Sequence, residues 1–140
     1  MKQMRYVVVA ALLVAGCSGT DGSSGGVHNH GGADAANVAL VSNNVIVDVT
    51  LDPAKVGPAT LHMEFAPPGG RLDKVNNVRA TLMNESTGAA PIELTLTDDG
   101  LNHFHADVTL DVGGAWGVVI TAGAPGGGEL SYRTTLNVAD

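Results

Sequence analysis

The chain has 140 residues, of which 7 are Lys or Arg and 14 are Asp or Glu, giving a formal net charge of −7. That length allows one ordinary domain, or one domain plus a tail, and the charge argues against nucleic-acid binding, which needs a positive patch. A single cysteine excludes an intrachain disulfide and a cysteine-based zinc site.

The first element in chain order reads as an address. Lys2 and Arg5 form a short positive region, and Tyr6 to Ala15 (YVVVAALLVA) is an apolar run. The run is too short for the roughly 20 residues that span a bilayer core, and it suits the apolar stretch of a signal peptide. Leu13-Val14-Ala15-Gly16-Cys17 follows. An aliphatic residue, two small residues and a cysteine resemble the lipobox of bacterial lipoproteins. The resemblance implies that residues 1–16 are removed and that Cys17 is acylated. Two or three acyl chains hold a protein stably at a membrane, where one does so only marginally. Without residues 1–16, five basic residues face all 14 acids, a net charge of −9. The polypeptide itself then has no attraction to an anionic surface, so the lipid must anchor it. Ser18, rather than Asp, follows the cysteine. By analogy with lipoprotein sorting, this favours the outer membrane if the cell is Gram-negative.

A tether comes next, so that residues 17–36 form the acylated cysteine and its linker. Ser18 to Ala36 (SGTDGSSGGVHNHGGADAA) is rich in Gly, Ser, Ala and Asp, with Val27 as its one large apolar residue. Such a stretch cannot bury enough surface to offset its ordering entropy, which predicts disorder. At this length it spans on the order of 25 Å root-mean-square. His28 and His30 interrupt it as His-Asn-His. Short histidine tracts can collect transition metals, but two imidazoles on a flexible chain make a weak site.

Residues 37–140 alternate apolar and polar positions between turn signals, which predicts an all-β domain. Seven candidate strands appear: 44–51, 59–65, 75–83, 91–97, 102–110, 115–122 and 129–138, with 37–41 as an extension or a short edge strand. Leu61, Met63 and Phe65 should face inward on the second strand, and Thr60, His62 and Glu64 outward. Ile92, Leu94 and Leu96 should face inward on the fourth. On the fifth, Phe104, Ala106, Val108 and Leu110 should face inward, and His103, His105, Asp107 and Thr109 outward. Asp98-Asp99-Gly100 reads as a turn. Seven short antiparallel strands in about a hundred residues is the size of an immunoglobulin-like β-sandwich, here with no disulfide. Trp116 falls on the sixth strand rather than the third, so the domain is a relative of antibody domains and not one of them.

Several segments together resemble the YtkA-like domain: Asp48 to His62 (DVTLDPAKVGPATLH), Gly69-Gly70-Arg71, Pro91 to Leu94, Asn102-His103-Phe104 and Gly113 to Trp116. That domain stands alone in small secreted proteins and also occurs in copper-resistance membrane proteins of the CopC/CopD type. The resemblance covers roughly residues 44–122. It implies an immunoglobulin-like fold and an association with copper or redox handling. It carries over no catalytic site. His62 and His103 stand where many members have histidine, whereas His105 departs from the usual apolar or small residue.

In the immunoglobulin topology the second and fifth strands are neighbours in one sheet. That would place His62, His103 and His105 on one solvent-facing surface, with cross-strand partners about 5 Å apart. Neutral imidazoles suit copper(II) or zinc, and Glu64 and Asp107 could orient them from behind. The other reading is that surface strands carry His, Asp and Glu because water is there. No Gly-x-Ser-x-Gly elbow, His-Glu-x-x-His pair or phosphate loop is present, so an enzyme is not expected. Two classes of function remain. One is a lipid-anchored envelope module that binds copper or zinc. The other is a non-metal module that presents a sandwich to an envelope protein partner.

Overall fold

The computed structural model describes residues 32–67, 69–71 and 73–140. The predicted leader, Cys17, His28 and His30 lie outside these residues. Nine strands are described: β1 (Ala36–Ser42), β2 (Val45–Asp52), β3 (Gly57–Ala66), β4 (Asn76–Asn84), β5 (Ile92–Glu93), β6 (Thr97–Gly100), β7 (His103–Leu110), β8 (Gly114–Gly123) and β9 (Glu129–Val138). They make two antiparallel sheets, ordered β1-β2-β3-β7-β6 and β5-β4-β8-β9. With β1 and β5 set aside, four strands face three in the immunoglobulin order: A, B, E and D are β2, β3, β7 and β6, and C, F and G are β4, β8 and β9. The strand that carries His62 and the strand that carries His103 and His105 are therefore neighbours, as expected.

The core lies between the sheets and follows from period-two patterning. On β3 each inward residue is buried (Ala59, Leu61, Met63, Phe65), while Thr60, His62 and Glu64 are half-exposed. Val47, Val49 and Leu51 from β2 meet Leu82, Val118, Ile120 and Leu130 from the other sheet in one continuous cluster. Phe65 packs edge-on against both Phe104 and Tyr132, with ring centroids 6.0 Å apart in each case. The Tyr132 hydroxyl donates to the Val45 carbonyl at 3.1 Å, linking the two sheets by a buried hydrogen bond. The Trp116 indole, also buried, donates to the Val112 carbonyl at 3.0 Å.

Three parts of the chain differ from the sequence expectation. The 37–41 segment is a full edge strand, because Asn43 and Asn44 both adopt the left-handed conformation that a tight hairpin requires (φ 46° and 63°). The predicted strand 91–97 is not one strand. Ile92 and Glu93 pair with β4 and then the chain crosses to the other sheet, where Thr97 begins β6. Leu94 and Leu96 pack against the core, but Ile92 is exposed. The alternation was real, but it belongs to a sheet switch, and periodicity does not encode a switch. The predicted turn at Asp98-Asp99-Gly100 is mostly strand. The reversal sits one residue later, where Gly100, Leu101 and Asn102 all have positive φ. Before β1, Gly32 to Ala35 form a turn, with the Ala35 amide donating to the Gly32 carbonyl at 3.1 Å.

Candidate functional site

The outer face of the β2-β3-β7-β6 sheet carries the residues in question, and strand register arranges them in rungs. Asp52 pairs with Thr60 and Thr60 with Asp107; Thr50 pairs with His62 and His62 with His105; Asp48 pairs with Glu64 and Glu64 with His103. His62 thus stands directly across from His105 and diagonally from His103. The His62 ring lies 5.6 Å from that of His103, at an interplanar angle of 24°, and 6.1 Å from that of His105, at 39°. The His103 and His105 side chains are 27% and 30% exposed, while His103 Nε2 and His62 Nδ1 are buried.

A fourth residue joins them. β6 pairs with β7 with a register shift between Asp98 and Gly100, so Asp99 is the extra residue of a bulge. A bulge turns its extra side chain away from the regular pleat. Here it places Asp99 Oδ2 2.6 Å from His105 Nδ1 and 3.8 Å from His103 Nδ1. With Nδ1 of His105 donating to the carboxylate, its Nε2 carries the lone pair. A carboxylate behind an imidazole in this way is the usual arrangement that fixes a metal-binding tautomer.

The two carboxylates expected to support the imidazoles lie on the same face, on the rungs either side of His62 and His105. Asp107 accepts a hydrogen bond from the Thr60 hydroxyl at 2.8 Å, one rung away from His62 and His105. Glu64 sits between His103 and Asp48 in the register. Burial, reinforced by the charge of Glu64, raises the Asp48 carboxyl above its ordinary range. Asp99, which the sequence presents as an ordinary turn residue, is the carboxylate that stands 2.6 Å from His105 Nδ1.

Among the described residues, no group of three or more His, Cys, Asp or Glu side chains is arranged to hold a metal ion. The donor chemistry fits a metal and so does the spacing, because imidazoles bound to one ion at about 2 Å place their rings roughly 5 Å apart. The ring orientation does not fit. The three rings are stacked or tilted rather than convergent, so binding requires rotation about the side-chain torsions.

No family model and no curated protein matches the chain. Solved structures show the fold. A DUF4426 family protein from Pseudomonas aeruginosa PAO1 superposes with a TM-score of 0.59 at 8% identity, over 74% of this chain and 94% of that one. A DUF4785 family protein from Legionella pneumophila superposes with a TM-score of 0.53 at 20% identity, over 69% of this chain and 29% of that one. At these identities the likeness establishes a shared β-sandwich and nothing about function.

Proposed function

We propose that the chain is a lipid-anchored binding module of the bacterial cell envelope that holds copper(II) or zinc on the outer face of β3 and β7. The observation that carries this reading is the cluster of three imidazoles, with the His62 ring 5.6 Å from that of His103 and 6.1 Å from that of His105, and Asp99 behind His105. Asp48, Glu64, Asp99 and Asp107 make the same face negative, which favours a cation. The lipobox-like run ending in Cys17 supports the anchor, with the outer membrane favoured in a Gram-negative cell. The YtkA-like resemblance supports copper. His62, His103 and His105 would supply the nitrogens, and the bound ion would be held or passed on, with no catalysis by the chain.

The test is a calorimetric titration of the soluble chain 17–140, carrying Cys17→Ser, with copper(II) and with zinc. Saturable binding should fall at least tenfold in the His62→Ala/His105→Ala variant. Binding that is absent, or unchanged by those substitutions, sinks the metal reading.

A second reading has its own observation. Leu101, at the tip of the β6–β7 hairpin, is 99% exposed. An apolar side chain held out on a tight turn suits contact with a protein partner in the envelope. That reading needs no metal, and it survives if the titration shows no binding.

A further inference from the structure

We infer that the chain forms a symmetric homodimer through the outer face of its β5-β4-β8-β9 sheet, on the side of the sandwich opposite the imidazoles. The occupant of this face is a second copy, and the inference is independent of the metal reading.

Strand register builds the face from three rungs. Arg79 pairs with Thr121 and Thr121 with Ser131. Glu93 pairs with Thr81, Thr81 with Val119, and Val119 with Arg133. Met83 pairs with Gly117 and Gly117 with Thr135. The centre of the face is apolar. Met83 is 40% exposed and lines a groove with Pro91, Gly117 and Val119. Gly117 leaves a notch in that groove, bordered by Glu85, whose carboxylate accepts from the Thr135 hydroxyl at 2.9 Å. The two ends of the middle rung carry opposite charges. Glu93 and Arg133 are both exposed, and no ion pair joins either to another described residue.

These placements complement themselves under one two-fold axis. An axis lying in the interface, along the strands and between β4 and β8, turns the face over and exchanges its left and right edges. Each residue of β4 then meets the residue of its own rung on β8 of the second copy. Met83 meets the Gly117 notch, Thr81 meets Val119, and Glu93 meets Arg133. Each contact is made twice, as an isologous interface requires. Facing sheets stand about 10 Å apart, a gap that a glutamate and an arginine side chain span between them. The other in-plane axis, across the strands, would set Glu93 against Glu93 and Arg133 against Arg133. Like charges placed together oppose association, so charge selects the first axis.

That axis preserves strand direction. The chain enters the domain where the Gly32 amide donates to Asp52 Oδ2 at 3.0 Å, and the two entry points therefore lie at one end of the dimer. The acylated cysteines of the proposed anchor can then reach one membrane. The two imidazole faces lie on the outside surfaces of the pair. A face of four strands, roughly 19 by 23 Å, buries on the order of 500 Å² per copy, about 1,000 Å² in total. An interface of that size is weak and reversible, with a Kd on the order of 100 μM.

Sedimentation velocity of the chain 17–140 carrying Cys17→Ser, from about 10 μM to about 1 mM, brackets that value. EDTA in the buffer removes metal bridging as a cause of association. The parent should pass from monomer to dimer across this range. Glu93→Arg and Arg133→Glu, each alone, set like charges together and should weaken association at least tenfold. Mixed in equal amounts, the two variants should associate again, because each supplies the charge that the other lacks. Both substitutions are at exposed positions, and circular dichroism checks that the sandwich is kept. A parent that stays monomeric throughout overturns the inference, as does a dimer that both charge reversals leave intact. Loss in each variant without recovery in the mixture would mean that Glu93 does not face Arg133, and the proposed axis falls. Zinc titrations of the same variants should match the parent, so the dimer and the metal reading stand or fall separately.

Discussion

Asp99, the bulged residue of β6, holds its Oδ2 2.6 Å from Nδ1 of His105 on the neighbouring strand. This contact decides which nitrogen of His105 faces outward. Nitrogen-detected NMR of the metal-free protein near neutral pH should show the Nδ1–H tautomer for His105. Asp99→Asn should weaken that preference, and it should lower copper or zinc affinity about 10- to 100-fold, the usual cost of losing a supporting carboxylate. Thermal stability should change little, because Asp99 is exposed on an edge strand. An unchanged tautomer in the variant would mean that Asp99 does not position the ring.

How far the site could be read from the sequence depends on the range of the interaction. Alternation on β3 and β7 is local, so the outward set His62, Glu64, His103, His105 and Asp107 was legible, as was the inward set around Leu61, Met63 and Phe65. The neighbour relation of the two strands followed from topology. Register did not, because three strands, β4, β5 and β6, intervene in the chain, and it is register that sets His62 against His105. Asp99 was hidden for a different reason. A bulge is one extra residue with no compositional mark, and Asp-Asp-Gly is ordinary turn chemistry. The sheet switch between Glu93 and Thr97 was hidden in the same way, since apolar alternation continues through it.

Asn102 is a second feature that pattern reading passes over. It is 6% exposed, has φ 64°, and its side-chain oxygen accepts from the Val75 amide at 2.9 Å while its nitrogen donates to the Asp73 carbonyl at 3.2 Å. It therefore pins the loop before β4 to the hairpin that presents Asp99 and His103. Asn102→Ala should cost about 1–3 kcal/mol by leaving a buried amide without its acceptor, with a further penalty for Ala at positive φ. Asn102→Asp keeps the acceptor and should recover part of the loss. Urea unfolding of the two variants checks both statements, and equal stability of Asn102→Ala and the parent would remove Asn102 from this role.

Asp48 carries a prediction about pH. Its carboxyl is raised above the ordinary value of 3.8, first by burial and then by Glu64. A raised acid holds its proton more tightly in the folded state, so it contributes destabilisation that grows as pH rises past 3.8 and levels off above the folded value. Asp48→Asn should accordingly raise the Tm at pH 7, and the advantage should shrink as pH falls into the acid range. A melting series from pH 3 to pH 7 on both proteins reads this directly. An Asp48→Asn gain that is independent of pH would point to packing rather than charge.

Tyr132 makes the corresponding test at the alkaline end. Burial raises its phenol from 10.0 to about 12, and its hydroxyl donates to the Val45 carbonyl across the sandwich. In the chain from residue 17 onward it is the only tyrosine, since the other is Tyr6. Absorbance at 295 nm should therefore show a single phenolate transition with a midpoint near 12. The unfolded phenol ionises from about pH 10, while the folded one resists. Stability should therefore be unaffected below pH 10 and should fall between there and pH 12. Tyr132→Phe should abolish that alkaline loss, at a cost of about 1–2 kcal/mol near neutrality for the orphaned Val45 carbonyl. A transition near 10 in the folded protein would show that the hydroxyl is open to water and that the inter-sheet bond is not maintained in solution.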